Sequence, residues 1–370
     1  KRMKRILSRI AYIVALCCAV SLMQVPALAE EFSDMPNNWA TAALQKAVSN
    51  GLLNGYDGMI MPDDNLTRAQ MAAIMVRSFG AANLADISAF SDVSADAWYH
   101  DDMAKSVQMG IFKGDGANLN PENNITREEA FTVLARAFEL ADADGSALDA
   151  FLDKGDVADW AVPTVSAIVA NNYAKGADGY LNPKNNITRA EFAQIFYNII
   201  GTYIVSKGTY DKDIKGSVLI RTDDVELKNL TVDGDLIIGC GAADGKITLD
   251  NVTIKGRLLV WGGGTKAVYC NAGTNMPAVV VARVDDAVKV IYDRDSTLAV
   301  IDTIKVRITE RAKQHKETEV IFYDVSGLRE AQKQLNAIVA DNQIALTAPA
   351  HLYALVGESS VKAEFRNNSK

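Results

Sequence analysis

The chain has 370 residues, 49% apolar and 7% aromatic, with 38 Lys and Arg against 46 Asp and Glu for a net charge of −8. That is roughly two to four domains' worth of chain, and a composition without low-complexity bias excludes a largely disordered protein. The acid excess disfavours nucleic acid as a partner, so any anionic partner must be captured by a local site against the overall field.

The first 29 residues read as a segment apart. Lys1, Arg2, Lys4, Arg5 and Arg9 precede an apolar run from Ile10 to Met23 and then Ala27-Leu28-Ala29. A basic start, a short apolar core and a small-x-small site form a secretory signal peptide cleaved after Ala29. The apolar run is short for a membrane span, so no span is expected after cleavage. Loss of five basic residues leaves 33 against the 46 acidic, about −13. Cys240 and Cys270 then remain, either paired in an oxidising exterior or as buried thiols.

Residues 30–205 hold three copies of one unit, divided at 30–88, 89–148 and 149–205. DNLTRAQ (64–70), NNITREE (123–129) and NNITRAE (185–191) are nearly one phrase. Trp39, Trp98 and Trp160 each stand 28 residues before Thr67, Thr126 and Thr188, with Gly55, Gly114, Gly176 and Pro62, Pro121, Pro183 in register between them. Such a period marks a repeat architecture. Each copy reads as two helices. The first begins near the Trp, carries an apolar stripe such as Leu44, Ala47 and Val48, and ends at Gly51, Gly110 or Asn172, residues that tolerate the left-handed turn closing a helix. The second opens at the repeated phrase and buries Met71, Ile74, Met75 and Phe79, then Ala130, Val133, Leu134 and Phe138, then Phe192, Ile195, Phe196 and Ile200.

Thr67 with Gln70, Thr126 with Glu129 and Thr188 with Glu191 are capping boxes, each Thr oxygen taking a backbone N–H of the first helical turn. Capping explains Thr and Glu but not Arg68, Arg127 and Arg189, which face the positive helix end at a cost of about 0.3–1 kcal/mol when exposed. A bidentate guanidinium beside free N–H donors suits a bound carboxylate, so these arginines are expected to collect an anion. The tryptophans are equally readable as core or as platforms for a sugar ring. Each follows an aromatic–x–acid turn: Phe32-Ser33-Asp34, Phe90-Ser91-Asp92 and Phe151-Leu152-Asp153.

F-S-D, Trp, a glycine-rich loop and I-T-R-A-E, tripled behind a signal peptide, resemble the S-layer homology domain over about 31–205. The resemblance implies a pseudo-threefold bundle of helix pairs that binds anionic secondary cell-wall polymers, often pyruvylated, whose ketal supplies the carboxylate. It places glycan-binding groups at Arg68, Arg127 and Arg189; Trp39, Trp98 and Trp160; Ser33, Asp34, Ser91, Asp92 and Asp153; and Gly55, Gly114, Gly176, Lys113 and Lys175. Leu152 stands where the third serine belongs and Asn54 where the first lysine does, so the grooves need not be equivalent.

From 206 the period becomes two, with Val218-Leu219-Ile220, Val225-Glu226-Leu227 and Leu230-Thr231-Val232 as strands. KNLTVDGDLII (228–238) returns as DNVTIKGRLLV (250–260), 22 residues later, with a fainter rung at Ala278–Val281. A 22-residue rung with Asn229 over Asn251 predicts a right-handed parallel β-solenoid over 206–310, with a β-sandwich as the alternative, and a mixed segment over 311–370 containing a helix near 327–340. The acids of this half share no spacing across rungs, His315 and His351 show no partners in the sequence, and neither a metal set, a cofactor motif nor a catalytic constellation stands out. The expected fold is thus α+β and multidomain, an all-α repeat bundle followed by a β-rich domain. The expected function is non-catalytic: secretion to a bacterial cell wall, anchorage on its polysaccharide, and display or spacing by the β half. A wall-attached polysaccharide lyase or hydrolase and a self-assembling S-layer subunit are the alternatives.

Overall fold

A computed structural model describes residues 32–264, 268–300, 304–315, 318–323, 344–347, 351–356 and 359–366. The leader read at 1–29 and the helix read near 327–340 lie outside the described residues. The N-terminal region holds helices α1 (Thr41–Ser49), α2 (Arg68–Phe79), α3 (His100–Gln108), α4 (Arg127–Ala137), α5 (Val162–Ala170) and α6 (Arg189–Ile199). The helices pair between repeats: α2 on α3, α4 on α5, and α6 back on α1, so the three units close into a ring. The second helices are inner elements. Almost every residue of α2 and α4 is buried, with the charged Arg68, Arg127 and Glu128 among them. The first helices are less buried: α1 buries Ala43, Leu44 and Ala47, and the more apolar α5 buries Val165, Ser166, Ala167 and Ile168.

The repeated phrase is the hub of that ring. The N–H of Leu66 donates to Ile187 O (3.0 Å), that of Ile187 to Ile125 O (3.0 Å) and that of Ile125 to Leu66 O (2.9 Å). The three aliphatic side chains meet in full burial, so one three-residue circuit of hydrogen bonds closes over a dry contact. All three capping boxes are formed in both directions. The first helices each end two residues before Gly51, Gly110 and Asn172, whose φ values of 66°, 74° and 58° are left-handed as the sequence predicts.

The β half is two parallel sheets between which consecutive strands alternate. One holds β1 (Thr202–Ile204), β3 (Val218–Ile220), β5 (Leu236–Ile238), β7 (Arg257–Val260), β9 (Ala278–Val281) and β11 (Lys305–Ile308). The other holds β2 (Gly208–Tyr210), β4 (Val225–Val232), β6 (Ile247–Ile254), β8 (Val268–Cys270), β10 (Lys289–Tyr292) and β12 (Glu319–Tyr323), and continues through β15 (Ser359–Arg366) to the antiparallel β14 (His351–Val356) and β13 (Ile344–Thr347). Val225 pairs with Ile247 and Leu236 with Leu258, the 22-residue offset of the sequence repeat. Asn229 and Asn251 take left-handed φ values of 52° and 54° in mid-strand, and Asn251 Nδ2 donates to Asn229 Oδ1 at 2.8 Å. The kink lets β4 and β6 keep Val225, Leu227, Leu230 and Val232, and their partners, all facing inward.

Strands β3, β5, β7 and β9 are buried on both faces. Val218, Ile220, Leu236 and Ile238 face the space between the sheets, while Leu219, Ile237, Leu259 and Val280 face outward into the helical core. There the ends of the inner helices converge: Phe79 lies 5.4 Å from Phe138, Phe138 5.7 Å from Phe196, and Trp261 of the β half 6.1 Å from Phe79. Trp261 Nε1 donates to Ala137 O (3.0 Å), and Arg257 caps the carbonyls of Phe138 (3.0 Å) and Glu139 (2.7 Å) while paired to Asp235. Arginines of the second half thus satisfy helix C-termini of the first. Cys240 and Cys270 are unpaired thiols; burial pushes Cys240 up to about 12 and Cys270 well above its usual range.

Candidate functional site

Each repeat closes its loop with the same two devices. Asp34 accepts the N–H groups of Ile60 and Met61 (both 2.7 Å), Asp92 those of Leu119 (3.1 Å) and Asn120 (2.6 Å), and Asp153 those of Leu181 (2.9 Å) and Asn182 (2.7 Å). Both oxygens are used each time, and the second donor belongs to a residue at φ near +50°, which the carboxylate holds in place. The aromatic of the same turn lies against the loop glycine. A Cβ on Gly55, Gly114 or Gly176 would strike the ring of Phe32, Phe90 or Phe151 and a loop carbonyl.

The arginines join one repeat to the next. Arg68 Nε donates to Leu119 O (2.8 Å), Nη2 to Lys113 O (3.2 Å) and Nη1 to Glu129 (3.0 Å). Arg127 does the same to Leu181 O (2.8 Å) and Glu191 (2.6 Å), and Arg189 to Ile60 O and Asn54 O (both 2.8 Å). They are only 9%, 7% and 8% exposed. The premise that folding has no use for these arginines is corrected. A fold does have a use for arginine at this position: a cationic fork reaches across the repeat boundary to the carbonyl of the very residue whose N–H the neighbour's Asp accepts. Nor are the helix N–H donors free. Arg68 N–H goes to Asn123 O and Ala69 N–H to Pro121 O (both 2.9 Å), with the same pattern at α4 and α6, and the third donor goes to the capping Thr.

The tryptophans are surface residues, 60%, 66% and 56% exposed for Trp39, Trp98 and Trp160, which removes the core reading. Lys113, Lys175, Ser33 and Ser91 are exposed too, and Ser33 Oγ donates to Gly58 O (3.2 Å). A cavity of about 370 Å³ gathers residues of all three repeats: Arg68 from the first, Lys113 and Gly114 from the second, Trp160 from the third. Its other walls include Asp115, Asn120, Glu129 and Arg136. Rotation through the repeats relates this set to Arg127, Lys175, Gly176 and Trp39, and to Arg189, Asn54, Gly55 and Trp98. The exposed ring, the ammonium and the remaining edge of the buried guanidinium form a groove suited to a ring with a polar, anionic substituent.

Arg136 is the residue that sequence reasoning missed. It stands nine residues after Arg127, as Arg77 does after Arg68, with Asn198 in the third copy. Arg77 donates to Leu52 O (2.8 Å), Arg136 to Ile111 O (3.4 Å) and Asn198 to Tyr173 O (2.9 Å). Burial and then the neighbouring Arg68 charge depress the Arg136 pKa. The signal was legible as a basic residue spaced two and a half turns along a buried helix.

A ring of three helix pairs with a groove at the repeat boundary defines a repeat-built helical module. Its sequence assigns it further. The S-layer homology domain matches residues 31–72, 89–131 and 150–193, and the chain carries three such repeats. It is 36% identical over 170 residues to the surface-layer 125 kDa protein of Lysinibacillus sphaericus, a match covering 44% of this chain and 14% of that protein. It is 30% identical to an amylopullulanase of Thermoanaerobacterium thermosulfurigenes (46% and 9% covered) and 26% identical to the S-layer protein sap of Bacillus anthracis (55% and 25% covered). The chain therefore spans a quarter or less of these relatives. The repeats and the surface-layer relatives mark a secreted, cell-surface protein. Among the described residues no helix is long and apolar enough to cross a membrane.

Proposed function

We propose that this chain anchors a secreted protein non-covalently to the bacterial cell wall, taking a pyruvylated secondary wall polysaccharide in its inter-repeat grooves while the β half displays or spaces. The observation that carries the reading is the meeting of Arg68, Lys113 and Trp160, from three different repeats, around one cavity. A solvent-exposed tryptophan beside cationic groups suits such a ligand, because the ring can cover a sugar face while the charges take its acid. Several described acids of the β half are engaged: Asp233 with Lys215 and Lys255, Asp235 with Arg257, Asp285 with Arg283, and Asp223 and Asp224 with Lys207. Those pairings favour a scaffold over a hydrolytic site. The test is co-sedimentation with purified wall sacculi before and after mild-acid removal of pyruvate. Retention on native walls and loss on stripped walls is expected, and equal retention on both would sink the ketal reading.

A further inference from the structure

The groove at Arg68 does not end at the edge of the helical ring. A second cavity of about 360 Å³ adjoins it, lined by Lys113 and Arg136 of the second repeat and by Arg307 and Arg311 of the β half, with the carboxylates of Glu139, Asp142 and Glu310 also in its wall. Lys113 and Arg136 line both spaces, so the two cavities are neighbours that share a cationic pair. Each compartment falls within the range of about 300–1,000 Å³ usual for small-molecule sites.

The far wall is built rather than incidental. Arg311 donates to Gln108 O, and its guanidinium covers Gly110, where an added Cβ would collide with it. The equivalent Gly51 of the first repeat faces open space. The β half brings a cation to the end of α1 as well, where Arg221 donates to Asn50 O (2.8 Å), but of these two glycines it is Gly110 that the guanidinium covers. Arg307 is already neutralised by Glu139 (2.9 Å). Lys113, Arg136 and Arg311 make no ion pair with a described carboxylate, although Asp142 lies near enough to Arg136 to attract it. Burial is what lowers the Arg311 pKa, as expected of a half-buried cation lacking a counter-ion.

We propose that these two cavities form an extended binding site for an anionic polysaccharide, in which one acidic sugar occupies the Trp160 compartment and the next acidic residue of the same strand is held by Arg136 and Arg311. The inference rests on the wall-polymer reading and deepens it, since it makes the β half part of the binding surface and sets the first groove apart from its two relatives.

Calorimetric titration of the full chain tests this with two probes, a single pyruvylated amino sugar and short oligosaccharides released enzymatically from wall polymer at neutral pH, with their ketals intact. The unaltered chain is expected to bind the oligosaccharide at least about tenfold tighter than the monosaccharide, and Arg311→Gln to erase about that factor for the oligosaccharide alone. Arg311→Lys, which keeps the charge without the fork, is expected to fall between, and it serves as the test if Arg311→Gln fails to fold by circular dichroism. If neither variant alters oligosaccharide affinity, or if both probes weaken equally, the extended site is overturned while the groove reading stands. If the unaltered chain binds neither probe, the wall-polymer reading falls and the extension with it.

Discussion

In each repeat a single loop residue, Ile60, Leu119 or Leu181, is gripped from two sides: its N–H by an Asp of its own repeat and its carbonyl by an Arg of the preceding one. The arginine is therefore a joint first, with only its outer edge left for a ligand. Arg127→Met should lower stability by about 2–3 kcal/mol, because it strands the buried Leu181 carbonyl and leaves Glu191 without its partner. Trp160→Ala should move the urea midpoint little, since the ring is more than half exposed, yet weaken retention on wall sacculi. Parallel urea melts and sedimentation assays separate the two; equal melts for Arg127→Met and the unaltered chain would show the joint to be dispensable. Asp233 gives a pH marker in the other half. Hydrogen bonds from Lys215 and Lys255 hold it at about 2, below its ordinary 3.8. Because the folded value is depressed, its favourable contribution is complete above about pH 4 and is lost as pH falls through 2. Carboxyl carbon NMR should place its midpoint there, and a midpoint near 4 would show that the exposed lysines do not hold it.

At the scale of elements, the repeated phrase does two jobs a few atoms apart. The threonine caps its own helix, while the aliphatic residue before it closes the three-membered hydrogen-bonded ring. The two should separate by size of effect. Thr126→Ala removes one cap and should cost about 1 kcal/mol. Ile125→Ala opens a void at the convergence of three repeats and should cost about 2–5 kcal/mol. Chemical denaturation of both variants checks the ranking, and a larger loss for Thr126→Ala would mean that capping, not the hub, holds the ring.

The whole molecule is joined by a core rather than a tether. Leu219, Ile237, Leu259 and Val280 present a second apolar face of one sheet to the ends of the helices, and Arg221, Arg257, Arg307 and Arg311 satisfy helix-end carbonyls across the junction. Such a contact couples the two halves' unfolding. The full chain should melt in one calorimetric transition, and Trp261→Ala, which deletes a buried ring and its bond to Ala137, should split it into two. Two transitions in the unaltered chain would show the halves to be independent.

Much of this was legible in one dimension. The repeat period, the capping boxes, the left-handed helix ends and the 22-residue β register are local or periodic features, and backbone sterics and the pleat fix them wherever the chain folds. The buried stripes of α2, α4 and α6 were legible for the same reason. What Arg68, Arg127 and Arg189 do was not, because their partners lie 45–135 residues away and a first-turn arginine looks unfavourable until a neighbouring carbonyl is brought to it. Trp39, Trp98 and Trp160 were equally undecidable, since an amphipathic ring fits core or surface alike and only packing places it. The sequence by itself determined three helix pairs and a stack of β rungs, through propensity and periodicity. Only the tertiary structure decided that the pairs close into a ring, that one sheet is apolar on both faces, and that the arginines are spent largely on holding repeat to repeat, because each of those depends on groups far apart in the chain meeting in space.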